Sequence, residues 1–319
     1  MRRAFLAVLL TAGLVGCAAR TAVWVFTAPW DARSDAALDA GVAPAATIVS
    51  GWIALDSLGG PPVALYPPRA LPKPRSTRPF ALVTSYRADR FHPQAVRALA
   101  ADPVARARAA DGVEALVRAG GYAGVVLDLE ALEPADSLAL PPVVGALGAA
   151  ARRGGAREVA LAVPATDTLP YPVSALAPHV DRFLVMLYDE HWAGSAPGPV
   201  ASRGWAQAAL ARWARAAGPG RLAAALPAYG YLWRADSATA VVGWGEVQAL
   251  GRAAGVAATR DTASGGVRLR LADGREAWVA DASLAGAMAR DARALRVPVL
   301  AVWRLGLEDP AVWGALGLR

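Results

Sequence analysis

Asp128 and Glu130 are the residues whose types and spacing point most directly to chemistry. They close the segment 121–130, GYAGVVLDLE, in which Val125, Val126, Leu127 and Leu129 make an apolar run introduced by Gly120-Gly121 and Gly124. Such a run reads as a buried strand of a parallel sheet. Strand side chains alternate, so Val126, Asp128 and Glu130 share one face while Val125, Leu127 and Leu129 share the other. Two carboxyls about 6.6 Å apart on one strand face cost desolvation energy that a purely structural strand gains nothing from. The plainer alternative is a strand end at which both acids reach water. An acid beside a like charge in a partly buried place holds its proton towards neutral pH, as protonation of a leaving group requires.

The elements that would position this pair follow from the rest of the chain. Eight short aliphatic runs, 22–27, 47–55, 80–85, 124–129, 158–163, 182–187, 221–225 and 297–302, read as strands, most of them followed by loop residues. Helical stretches such as 103–119, 142–151, 204–217 and 282–294 lie between them. Alternation of this kind predicts an α/β fold, a (β/α)8 TIM barrel with a small β-rich insertion between strand seven and helix seven. The 319 residues then make one barrel domain over 21–319 rather than two domains, after a leader at 1–17. Residues 59–79, rich in proline and basic residues, read as an extended loop between strands two and three. The insertion, 231–281, reads as a modest excursion built on a β-hairpin, with Val267–Leu271 and Glu276–Val279 alternating around Asp273-Gly274.

Several stretches, in order, resemble glycoside hydrolase family 18, the chitinase-like family. Gly124, Asp128 and Glu130 fit the glycine, last aspartate and glutamate of its strand-four motif DGxDxDxE. Met186-Leu187-Tyr188-Asp189 resembles its M-x-Y-D, Leu226-Pro227-Ala228-Tyr229-Gly230 its LPxYG, and Val302-Trp303 the tryptophan that ends its eighth strand. Trp303-Arg304-Leu305-Gly306-Leu307-Glu308-Asp309-Pro310 and Trp30-Asp31-Ala32-Arg33-Ser34 resemble the subgroup fused in some bacteria to a polysaccharide deacetylase and a glycosyltransferase.

The resemblance implies a glycosidase acting on β-linked N-acetylglucosamine glycans, with peptidoglycan or an exopolysaccharide favoured over environmental chitin. Glu130 would be the general acid. In this family the substrate's own 2-acetamido oxygen attacks the anomeric carbon, so Asp128 would orient that group and Tyr188 would donate a hydrogen bond to it. Asp189 would help position the sugar. Trp303 would floor the site, its flat indole suiting the C–H face of a sugar ring. Tyr229, Trp30 and Trp192 are further candidates for sugar contact, and His191 sits in a loop expected to face the cleft without joining the catalytic set. No metal and no organic cofactor is implied. The family's first two aspartates fall on Ala123 and Val126, so Asp128 lacks its usual inner partner and should be easier to ionise. A chitinase-like lectin that binds without cleaving is the alternative, against which the presence of Glu130 argues; an envelope scaffold is a third reading.

Composition bounds these readings. Hydrophobic residues make 55% of the chain and charged residues 18%, enough apolar material for a large core. The formal charge of +7 comes almost wholly from arginine, Lys73 being the single lysine, and no basic face interleaved with aromatics points to nucleic acid. Arg2-Arg3 followed by the apolar run 4–15 reads as an export signal too short to span a bilayer. Leu14-Val15-Gly16-Cys17 resembles a bacterial lipobox, making Cys17, the only cysteine, a lipidation site. A lipid-anchored monomer at the cell envelope, on the outer membrane or cell surface, is the expectation.

Overall fold

The computed structural model describes residues 21–42, 46–66, 79–234 and 238–318; Cys17, the export signal and Lys73 lie outside the described residues. In chain order the strands are β1 (Ala22–Phe26), β2 (Thr47–Ala54), β3 (Val63–Tyr66), β4 (Phe80–Thr84), the short pair β5 (Tyr86–Arg87) and β6 (Arg90–Phe91), β7 (Gly124–Asp128), β8 (Glu158–Pro164), β9 (Arg182–Met186) and β10 (Leu222–Pro227). There follow β11 (Gly230–Trp233), β12 (Ala240–Val242), β13 (Thr259–Arg260), β14 (Val267–Arg270), β15 (Glu276–Val279) and β16 (Val299–Trp303). Eight strands run parallel in the order β1-β16-β10-β9-β8-β7-β4-β2, and β2 pairs back onto β1. The sheet therefore closes, and the fold is a (β/α)8 barrel. All eight are runs read as strands from the sequence, with ends that differ by one or two residues, as strand ends commonly do.

The helices owe their limits to local chemistry. Pro103–Gly120 starts where the Asp102 side chain accepts from the backbone N–H groups of Val104 and Ala105, and stops at Gly121 in the left-handed region. Its buried face, Ala105, Ala109, Val113 and Val117, repeats every four residues and packs on the barrel wall. Leu140–Arg153, Arg203–Ala217 and Ala282–Ala294 contribute to the same outer shell. Their apolar faces and the outward strand residues Val125, Leu127 and Leu129 form one continuous core.

Inside the barrel the packing is lopsided. Bulky rings from β1, β2 and β4 (Trp24, Phe26, Trp52, Phe80) face alanines from β8, β10 and β16 (Ala160, Ala162, Ala223, Ala225, Ala301). Trp24 and Phe80 meet edge to face at 5.1 Å, an arrangement that contributes about 1 kcal/mol beyond simple burial. Small residues opposite large ones fill the barrel's lower layers. Towards the C-terminal ends of the strands, Ala162 faces the rings across an open space.

Two sequence expectations need correction. The stretch 59–79 is not wholly loop: Val63–Tyr66 is an antiparallel strand on β2, with Ala54 opposite Val63 and Trp52 opposite Tyr66. β2 has eight residues, of which β1 covers only Thr47, Ile48 and Val49, so β3 occupies the edge that β1 leaves open. The insertion is more than an excursion. The hairpin β14–β15 forms around Asp273-Gly274 as read, but it belongs to a five-stranded antiparallel sheet, β12-β11-β15-β14-β13, with the helix Trp244–Ala254. That unit has its own core of Leu232, Val242, Val247, Leu269 and Ala277.

The tail after β16 locks onto the loop after β1. Leu305 N–H donates to the Phe26 carbonyl at 3.0 Å, and Arg304 Nη2 bonds Asp31 Oδ2 at 2.9 Å. Gly306 has φ +96°, and a Cβ there would lie 2.5 Å from the Arg33 carbonyl, so no other residue fits this crossing. The two stretches 30–34 and 303–310 thus meet in space, and the described contacts of Gly306 and Asp31 are structural.

Candidate active site

Glu130 and Asp128 stand at the C-terminal mouth of the barrel, where β7 ends, on the inward side of the strand. The site opens as a cleft of about 370 Å³, within the range of sites for small ligands. Asp128, Glu130, Tyr188, Asp189, Trp303 and Trp30 all line it. Every side chain but Trp30 comes from the end of a strand, the usual place for reactive groups in this fold.

Asp128 is only 8% exposed. The Thr84 hydroxyl, directly across on β4, donates to Asp128 Oδ2 at 2.9 Å, and Glu130 hydrogen-bonds to the same carboxyl group. Ser85 N–H donates to the Asp128 carbonyl at 3.0 Å, so both backbone and side chain are tied to β4. Burial pushes the Asp128 carboxyl up, and the hydrogen bonds from Glu130 and Thr84 pull partly the other way. With Val126 fully buried below it, Asp128 has no charged partner on its inner side, and burial holds its carboxyl above the ordinary value.

Glu130 is pushed well above the usual carboxylate range, first by burial, then by the charge of Asp128, the hydrogen bond to it, and the charge of Asp189. Two like charges in contact do not both ionise readily, so the pair resists losing its last proton. Tyr171, reaching over from the segment after β8, donates to the Leu129 carbonyl at 2.9 Å and fixes the chain between the two acids.

Asp189 follows β9 with φ +61°, a left-handed conformation that costs a non-glycine residue about 1 kcal/mol or more. Its carboxylate accepts from the hydroxyls of Tyr229 and Tyr231, the latter at 3.0 Å. Burial raises its carboxyl, and the two phenols offset part of that rise. Tyr229 therefore does not line the cleft as a sugar contact; it is buried and acts as a strut for Asp189. Tyr188 lines the cleft with its ring stacked against Trp303, centroids 6.3 Å apart and planes 19° apart. Phe26 meets Trp303 edge-on at 5.8 Å. The indole of Trp303 is thereby held in place in the cleft that the acids also line.

The aromatic wall opposite extends further than the sequence suggested. Trp30 meets Trp52 edge to face at 4.6 Å and lies near-parallel to Tyr86 at 6.5 Å. The Arg304 guanidinium lies 5.8 Å from its ring centre, held there by Asp31, an arrangement favourable to both groups. Trp52, Tyr86, Phe91 and Trp205 also line the cleft. Trp192 does not: its ring folds over Gly194 in its own turn, a Cβ there meeting it at 2.4 Å. His191 is likewise engaged locally, its Nδ1 3.1 Å from the Ala196 carbonyl. Thr84 and Tyr86, missed in the sequence, carry one usable signal, a polar and an aromatic residue at the end of an apolar barrel strand.

The insertion buttresses the rim. Tyr231 reaches Asp189 from β11, the Trp233 indole N–H donates to the Ser195 carbonyl at 3.0 Å, and Arg33 pairs with Glu246 on the insertion helix at 2.7 Å. Among the described residues no group of three or more His, Cys, Asp or Glu side chains is placed to hold a metal ion.

No family model matches the chain. A Bacillus subtilis (strain 168) protein described as an uncharacterized glycosylase, YvbX, is 24% identical over 226 residues, 66% of this chain and 65% of that protein. The match thus spans just under two thirds of that relative. A chitinase from Chromobacterium violaceum superposes with a TM-score of 0.79 at 20% identity, covering 93% of this chain and 98% of that one. The spore cortex-lytic enzyme SleL of Bacillus cereus superposes with a TM-score of 0.76 at 15% identity, covering 93% of this chain and 74% of that one. These structural likenesses establish the barrel fold.

The buried pair predicts a stability signature. The Glu130 carboxyl starts from an ordinary value of 4.5 and is raised well above it in the fold. Between those two pH values the native state keeps a proton that the unfolded state has lost, so stability falls as pH rises. Glu130→Gln does not titrate. Its melting temperature should match the wild type below about pH 4 and exceed it by a margin that grows through neutral pH, as thermal melts at a series of pH values will show.

Proposed function

We propose that this chain is a glycoside hydrolase that cuts β-linked N-acetylglucosamine glycans with retention of configuration. The observation that carries the reading is that Glu130 lines one cleft at the barrel mouth with Asp128, Tyr188, Asp189 and Trp303, its carboxyl raised by burial and by Asp128. The glycosylase and chitinase descriptions of the relatives support the same class of reaction.

In this reading the sugar ring lies on Trp303, and Glu130 donates its proton to the glycosidic oxygen as the bond to the anomeric carbon breaks. The substrate's 2-acetamido oxygen attacks that carbon and forms a cyclic oxazolinium. Asp128, left as a carboxylate, orients the acetamido N–H and stabilises the positive charge, while the Tyr188 hydroxyl donates to the acetamido oxygen before attack. Asp189, held by its two phenols, positions the sugar hydroxyls. Water then opens the oxazolinium, and Glu130 takes its proton, restoring the acid. The reaction needs a carboxyl that holds a proton near neutrality and a partner that does not, which the shared proton supplies.

Peptidoglycan or an exopolysaccharide is the proposed glycan, met at the cell envelope by a protein anchored through a lipid on Cys17. Replacing Cys17 with Ser should move the protein out of the membrane fraction; retention there would refute the anchor. For the reaction, N-acetylglucosamine oligomers and purified peptidoglycan are incubated with wild type and Glu130→Gln, and products are read by mass spectrometry. Cleavage by wild type, reduced in the variant by about 10²–10⁴-fold, is the expected result. Retention of glycan by both proteins without cleavage by either would mark a lectin instead.

A further inference from the structure

Thr84 is fully buried beside Asp128, and its hydroxyl has both hydrogen-bonding roles assigned. Its oxygen accepts the Tyr86 backbone N–H at 2.9 Å, and its own proton goes to Asp128 Oδ2 at 2.9 Å. An amide N–H can only donate, so the run of donors has one direction: Tyr86 N–H to Thr84 oxygen, Thr84 O–H to Asp128. Below Asp128 the strand offers Val126, which has no polar atom. Among the described residues the pair therefore has the neutral Thr84 hydroxyl on its inner side and no further acid hydrogen-bonded there.

We propose that Thr84 is the positioning residue that directs the pair's shared proton: by donating to Asp128 it holds Asp128 as the acceptor and leaves the proton on Glu130, the carboxyl that faces the leaving oxygen. This rests on the reading of Glu130 as the acid. Asp128 is then an acceptor twice over, from Thr84 and from Glu130, and Glu130 is a donor before substrate arrives. The groups that act on the two carboxyls are each other, Thr84 from β4, Asp189 and Tyr188 from the end of β9, and Tyr171 from the segment after β8. Asp189 acts on Glu130 as a like charge and adds to the same bias, and the tyrosines are neutral, so Thr84 is the group outside the pair whose described hydrogen bond makes Asp128 the acceptor.

The test reads the protons themselves. Carboxyl carbons are followed by NMR against pH in the full chain, as wild type, Thr84→Val and Thr84→Ser, with Glu130→Gln used to assign the pair. Thr84→Val keeps the volume and removes the donor to Asp128, so the lower of the pair's two titration steps should rise by about one to two pH units, the range expected when a hydrogen bond to a charged group is lost. Thr84→Ser keeps the hydroxyl and should stay within about 0.3 units of wild type, rescuing the effect. On cleavable oligomers the acid limb of kcat/KM should move with the NMR step. An unmoved lower step in Thr84→Val, or a Thr84→Ser protein that titrates like Thr84→Val, overturns the proposal. If the NMR step moves as expected but no protein cuts any oligomer at any pH, the proton direction stands and the hydrolase reading falls.

Discussion

Two buried carboxyls side by side at the barrel mouth are the constraint around which the site is arranged. Burial raises Asp128 and Glu130 together, and at such short range the two cannot carry full charge at once without a large cost. Their neighbours settle which one keeps the proton. Thr84 donates to Asp128 and no described contact donates to Glu130, while the carboxylate of Asp189 further along the rim adds to the rise of Glu130. The fold bears this cost because the surrounding core is large, and a proton-holding acid is what results.

The remainder of the molecule keeps that mouth shaped. Rings from β1 and β2 face alanines from β8, β10 and β16, which packs the barrel below while leaving one side of the upper cleft open to a ring-shaped ligand. Trp303 is squared between Tyr188, Phe26 and Trp52, and Trp30 is set by Trp52, Tyr86 and the Arg304–Asp31 pair. The insertion contributes Tyr231 from its sheet to Asp189 and Glu246 from its helix to Arg33, joining the added unit to the loops after β9 and β1. Asp189 in its left-handed conformation and Ala131, with φ +58° just after Glu130, put the unfavourable backbone beside the acids, where residues held in such conformations tend to gather.

The barrel was legible because parallel strands buried on both faces leave continuous aliphatic runs, and eight of them stand out between amphipathic helices. The acids, Tyr188, Asp189 and Trp303 were legible because they close those runs, where the fold puts its reactive groups. Long-range partners were not. Nothing local in Thr84-Ser85-Tyr86 says that its hydroxyl meets a carboxyl 44 residues away, nor that Tyr229 points at Asp189 rather than into the cleft. Trp192 is exposed as a platform would be, yet its ring covers a glycine of its own turn and does not line the cleft. β3 was hidden because its few residues lie amid prolines and its pairing depends on how far β1 runs along β2. The insertion's core was hidden for a related reason: only its hairpin has a turn signal, and the other strands are defined by whom they pair with.

The central claim is that Glu130 protonates the leaving group while the substrate's own acetamido oxygen, and no protein carboxylate, attacks the sugar. The deciding measurement is proton NMR of the first products released from an N-acetylglucosamine oligomer in heavy water, before the new reducing ends equilibrate. Two displacements at the anomeric carbon predict the β-anomer first, and no cleavage of the matching oligomer that carries hydroxyls in place of the acetamido groups. An α-anomer first, or equal cutting of the oligomer without acetamido groups, would contradict it.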